Sequence, residues 1–124
     1  MSHAINWFEI PARDMDRATR FWETVLGRSL KREVFGGVPH AIFAGGDDKA
    51  VSGALVSDGK RQPWGQGTLV YLDAGRDLDG CIARVVGAGG KVAVPRTEIG
   101  EHGAFAIVVD TEGNAVGLHA ARAS

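Results

Sequence analysis

Residues 12–27 read ARDMDRATRFWETVLG, and residues 75–90 read GRDLDGCIARVVGAGG. The Arg-Asp-apolar-Asp core of the first recurs in the second at a spacing of 63 residues, about half of the 124-residue chain. Each copy follows a short β-like run and ends in glycine. A period this long that occurs twice predicts a duplicated module rather than a solenoid. In the first copy Asp14 is the expected N-cap, because its carboxylate can accept a free amide of the first turn. Met15, Ala18, Phe21, Trp22, Val25 and Leu26 then recur at helical spacing and form one apolar stripe. Gly27 is a natural stop just past the helix. The second copy repeats the plan: Asp77 caps, Leu78, Cys81, Ile82 and Val85 form the stripe, and Gly89-Gly90 end it.

Outward from the two helices the chain reads as strands. INWFEI precedes the first helix and GTLVYLD the second. Further strands are expected near 28–35, 39–44 and 50–57, and again near 91–98, 103–110 and 114–120. In VVDTEGNAVGLHA, residues Asp110, Gly113 and Asn114 mark a hairpin turn between apolar runs. Pro63 and the glycines of SDGKRQPWGQG (57–67) mark a linker. The expected organisation is α+β, two tandem βαβββ modules, with module one at 1–58, a linker at 59–66 and module two at 67–124. One module of about 60 residues would be marginally stable alone; two halves joined, or two chains paired, would complete the core.

The bulk numbers narrow the function. Hydrophobic residues make up 44% and charged residues 23%, ordinary for a globular protein. A net charge of −1 gives no electrostatic reason for a nucleic-acid or membrane partner. The apolar runs are too short for a membrane span, and MSHAINWFEI lacks the pattern of a signal peptide. The single cysteine, Cys81, fits a small core residue in a reducing compartment, so a cytoplasmic location is expected.

EIPARDMDRATRFWETVLG at the start, DTEGNAVGLHA at the end and the duplicated βαβββ plan resemble the vicinal oxygen chelate superfamily, over essentially the whole chain. That group includes glyoxalase I, extradiol dioxygenases and bleomycin-resistance proteins. The resemblance implies two half-open sheets facing a cleft, a small-molecule ligand and a homodimer. It also implies, for metal-using members, one His, Glu or Gln ligand from the first and last strand of each module. In this sequence those positions fall on Trp7, near Gly53, on Thr68 and on Gly117. Tryptophan and glycine offer no donor and threonine only a weak oxygen, so no cofactor is expected.

Alternation along the strands then assigns the cleft. Ile5, Trp7 and Glu9 point into it, Asn6, Phe8 and Ile10 away from it. Gly53 and Leu55, then Thr68, Val70 and Leu72, then Ala115, Gly117 and His119 are assigned to the same face. Glu9 and His119 become the chief ionisable groups, as polar anchors or an acid–base pair. Trp7, Leu55, Thr68, Val70 and Leu72 form the ligand wall, with the missing side chains of Gly53 and Gly117 leaving space. The expected function is a glyoxalase-like small-molecule-binding protein, acting by sequestration or by metal-free proton transfer. Two alternatives stand beside it: a metal-dependent lyase or dioxygenase with a divalent ion displaced toward Glu9, His119 and His40 or His102, and a non-catalytic subunit.

Overall fold

The computed structural model describes residues 7–43, 51–59, 62–64 and 68–122. The elements run β1 (Trp7–Pro11), α1 (Met15–Leu26), β2 (Lys31–Phe35), β3 (Val38–Ile42), β4 (Ser52–Val56), β5 (Tyr71–Asp73), α2 (Leu78–Val85), β6 (Lys91–Glu98), β7 (Ala104–Val109) and β8 (Ala115–Ala120). They form two four-stranded sheets, ordered β1-β4-β3-β2 and β5-β8-β7-β6. In each sheet the first strand pairs parallel with the last and the others pair antiparallel. The duplicated plan is thus present as α+β, two tandem modules.

Both helix caps form where the sequence places them. The Asp14 carboxylate accepts the Arg17 amide at 3.0 Å and the Asp77 carboxylate accepts the Gly80 amide at 3.1 Å. Gly27 ends α1 at φ 69°, a left-handed conformation that favours glycine. The stripe of α1 buries Met15, Ala18, Phe21, Trp22 and Val25, and that of α2 buries Leu78, Cys81 and Val85. These belong to one core that also takes Ile10, Leu30 and Ala41 from module one and Leu72, Val108, Val116 and Leu118 from module two. Burial raises the pKa of the Cys81 thiol, as expected of a packed residue rather than a nucleophile.

Polar contacts at both ends of α1 help to tie the modules. Arg84 of α2 reaches the end of α1, where its Nε donates to Thr24 O (3.0 Å) and Val25 O (3.1 Å) and its Nη2 to Val25 O (2.9 Å). Those carbonyls have no partner within the helix, and a cation there also suits the helix dipole. Replacing Arg84 by Met should therefore cost about 1 kcal/mol, read as a lower thermal midpoint with unchanged helix content. At the other end of α1, the turn between β7 and β8 docks on the first turn. The Glu112 carboxylate accepts the amides of Arg13 and Asp14, both at 2.8 Å, and Arg17 Nε at 2.7 Å.

The register fixes which side chains face away from the helices. On β1, Phe8 packs against the core and Ile10 is buried, so Trp7 and Glu9 are on the open face as the alternation predicts. On β8, Val116 and Leu118 are core, so Ala115, Gly117 and His119 are on the open face, again as expected. Two strands depart from the expectation. Gly53 and Leu55 of β4 pair with Phe8 and Ile10 of β1, and Leu55 is fully buried in the core. Leu72 of β5 pairs with Leu118 and is likewise core. The open-face residues there are Ser52, Ala54 and Val56 on β4 and Tyr71 and Asp73 on β5. The β4 sequence SGALV is buried at four of its five positions, so it has no polar–apolar alternation from which to read a phase.

The two glycines expected to leave ligand space serve the packing of aromatic rings instead. A Cβ on Gly53 would strike the Phe8 ring, and one on Gly117 would strike the Tyr71 ring. Each glycine lets a neighbouring strand's aromatic ring lie over it.

Candidate functional site

Glu9 lies on the open face of module one between Trp7 and His40. Trp7 Nε1 donates to Glu9 Oε2 at 3.3 Å. On the far side His40 Nε2 lies 3.9 Å from the same oxygen, and the His40 side chain is 11% exposed against 30% for Glu9. His40 is the middle residue of β3, paired with Val56 of β4 and Glu33 of β2. Its Nδ1 is 2.9 Å from the Val38 carbonyl. A carbonyl only accepts, so Nδ1 carries a proton and Nε2 is the nitrogen that faces Glu9. The Phe35 ring stands edge-on to the imidazole at 4.9 Å and closes the other side.

Toward module two, Glu9 opens on a small pocket of about 130 Å³ at the seam between the sheets. Thr68, Val70, Trp64 and Ala115 line it with Glu9 and Pro11. Two of the expected ligand-wall residues, Thr68 and Val70, therefore do share a pocket with Glu9, and Trp7 touches its carboxylate. Trp64, 64% exposed, is held there by its backbone: its amide donates to Asn114 Oδ1 at 3.0 Å and its carbonyl accepts the Ala115 amide at 3.3 Å. Asn114 completes the seam by donating to the Pro11 carbonyl at 2.7 Å.

His119 does not join this cluster. It stands opposite Asp73 and Phe105 in the second sheet, with Nε2 2.7 Å from the His102 carbonyl. The expected Glu9–His119 pair is replaced by Glu9–His40. Leu55 and Leu72 are core residues and cannot touch a ligand without the core opening. The sequence names His40 only as a possible further ligand of a displaced metal; PHA carries no sign of its strand register, and the pairing with β4 brings it beside Glu9.

The donor set does not fit the metal centre of metal-using vicinal oxygen chelate proteins. Trp7, Thr68 and Gly117 occupy three of the positions, and Gly53 faces the core against Phe8. Its open-face neighbours Ser52 and Ala54 supply one weak hydroxyl, and that hydroxyl already donates to the Phe43 carbonyl at 2.7 Å. No group of three or more His, Cys, Asp or Glu that could hold a metal occurs among the described residues.

The model of the Glyoxalase/Bleomycin resistance protein/Dioxygenase superfamily matches residues 4–118. The chain belongs to this superfamily. Among solved structures, a glyoxalase/bleomycin resistance protein from Albidiferax ferrireducens T118 superposes with a TM-score of 0.72 over 95% of this chain and 98% of its own, at 13% identity. TnmS3, an antibiotic binding protein from Streptomyces sp. CB03234, superposes with a TM-score of 0.64 over 98% and 97%, at 24% identity. The protein CFP32 of Mycobacterium tuberculosis, which carries a glyoxylase name, is 27% identical over 119 residues. That match takes 91% of this chain but 44% of CFP32, so this superfamily member spans less than half the length of that relative.

Proposed function

We propose that this superfamily member binds a small, flat molecule bearing a hydrogen-bond donor or a positive charge, held at Glu9 without a resident transition metal. The observation that carries the reading is the arrangement of Glu9, His40 and Trp7. Glu9 Oε2 and His40 Nε2 face one another across 3.9 Å, too long for a direct hydrogen bond and suited to a donor that bridges both. Trp7, Phe35 and Trp64 are exposed by 41%, 50% and 64% and offer apolar or stacking surface around that point. A mostly apolar recess with a few placed polar groups is the usual form of a small-molecule site. The antibiotic-binding character of TnmS3, which shares the fold, supports the same direction.

A planar aromatic cation such as proflavine is a fitting probe. Added in excess, it should raise the thermal midpoint by mass action, as any ligand of the folded state does. An uncharged aromatic of similar size should raise it less, because it carries no charge to set against the Glu9 carboxylate. No shift with either probe would count against the reading.

The Glu9–His40 pair also favours a second reading, in which Glu9 accepts a proton from a bound substrate and His40 relays it. If a turnover is found, Glu9→Gln should abolish it while stability is kept; retained turnover would remove Glu9 from the role of base. A homodimer in a cytoplasmic setting remains part of the proposal through family resemblance, and light scattering tests the dimer directly.

A further inference from the structure

A cavity larger than the Glu9 recess lies elsewhere on the molecule. It has a volume of about 650 Å³ and lies on the helix side of the second sheet, between the start of α2 and the adjoining ends of β6, β7 and β8. Three arginines line it, Arg76, Arg96 and Arg122, against a single carboxylate, Glu98. Arg96 is already engaged: its Nε donates to Glu98 and its Nη1 to Asp79 of α2, both at 3.0 Å. Arg76 and Arg122 make no hydrogen bond or ion pair among the described residues. The floor is apolar, made by Leu78 of α2 with Ala104 and Ala120 of the sheet.

The internal repeat shows what the corresponding place in module one holds. Arg13, Asp14 and Met15 correspond to Arg76, Asp77 and Leu78 at the 63-residue spacing. In module one a buried carboxylate, Glu112, fills that place, held by two amides and the Arg17 guanidinium. In module two the chemistry has shifted from backbone to side chain. Gly80 stands where Arg17 does, and the Asp77 amide turns to the Ala74 carbonyl at 3.3 Å. Two arginines without partners among the described residues stand at the mouth instead. An unneutralised pair of guanidiniums beside an apolar floor suits an anion that carries a hydrocarbon body, and guanidinium is the group best shaped for a carboxylate.

We propose that this cavity is a binding site for a small organic carboxylate, with Arg76 and Arg122 taking the anionic end and Leu78, Ala104 and Ala120 the apolar body. The site is separate from the Glu9 recess and of opposite charge preference, so either proposal can fail without the other.

The test is a titration of the full chain with benzoate, followed by amide chemical shifts in two-dimensional NMR, with benzyl alcohol as the uncharged control. Benzoate should give saturable shifts at Gly75, Leu78, Gly103 and Ala104, with a dissociation constant of about 1 mM or tighter. Benzyl alcohol should bind about tenfold more weakly or not saturate, and added salt should weaken benzoate. The variant carrying both Arg76→Ala and Arg122→Ala removes two exposed side chains and should keep its fold, as its own spectrum will report. It should lose at least about tenfold in benzoate affinity. Absence of saturable shifts at these amides, equal binding of benzyl alcohol, or unchanged affinity in the double variant would each overturn the proposal.

Discussion

Leu55→Ala is expected to lose about 3 kcal/mol of folding stability and to leave binding at Glu9 nearly unchanged in the molecules that remain folded. Leu55 has no exposed surface and sits in the shared core with Ile10, its pairing partner on β1. Removing its branched end deletes buried apolar contacts and leaves a cavity that the surrounding helix and strands can only partly close. Had Leu55 lined the cleft, the same change would have cost little stability and weakened ligand binding. A denaturant titration combined with a proflavine titration separates the two outcomes. Leu72→Ala should behave in the same way, since Leu72 pairs with Leu118 in the core.

Glu112→Ala is expected to cost about 2–3 kcal/mol, because it strips a buried acceptor from two backbone amides at the start of α1. For a chain of this size that is a fall of roughly 8–12 °C in thermal midpoint. The side chain is fully buried and joins the turn of module two to the helix of module one. Its effect should also depend on pH. Burial by itself would raise the pKa of the Glu112 carboxyl; the Arg17 guanidinium, the Asp14 amide, the Thr111 hydroxyl and the Arg13 amide outweigh it and hold the pKa below the usual value. A carboxyl with a lowered folded pKa stabilises above its unfolded pKa, near 4.3, and that contribution is lost as pH falls through the folded value. The gap between wild type and Glu112→Ala should therefore be largest near neutral pH and shrink in acid. Asp110 works with the opposite sign. Burial raises its pKa despite the bonds it accepts from Asn114, the Glu112 amide and Trp22, so its contribution falls as pH rises through the raised value. A stability profile that shows no narrowing of the gap below pH 4.3 would contradict the assignment of Glu112.

What the sequence made legible follows from periodicity. The two helices, their aspartate caps and the repeat could be read because capping and a 3.6-residue stripe are local signals; the structure keeps them, except that α2 ends at Val85, short of the expected stop at Gly89-Gly90. The open face of β1 was legible for the same reason: Phe8 and Ile10 alternate with Trp7 and Glu9. β4 and β5 were not, because one is buried on nearly every position and the other is a three-residue strand that begins at Tyr71, later than the apolar run suggests. The partner of Glu9 was hidden for a different reason. His40 reaches it through pairing between strands that are far apart in the chain, which no local pattern encodes. Glu112 was hidden too, since a glutamate in a turn reads as solvated until the first turn of α1 is found against it. The expectation that Ile5 shares the face of Trp7 lies outside the described residues.

The claim that Glu9 is the anchor of the ligand recess is tested most directly by calorimetric titration of proflavine into wild type and Glu9→Gln side by side. The substitution keeps the shape of the side chain and removes its charge. The account predicts saturable binding to wild type and a loss of at least about tenfold, near 1.4 kcal/mol, in the variant. Equal affinity for the two proteins, or no binding to either, would contradict it.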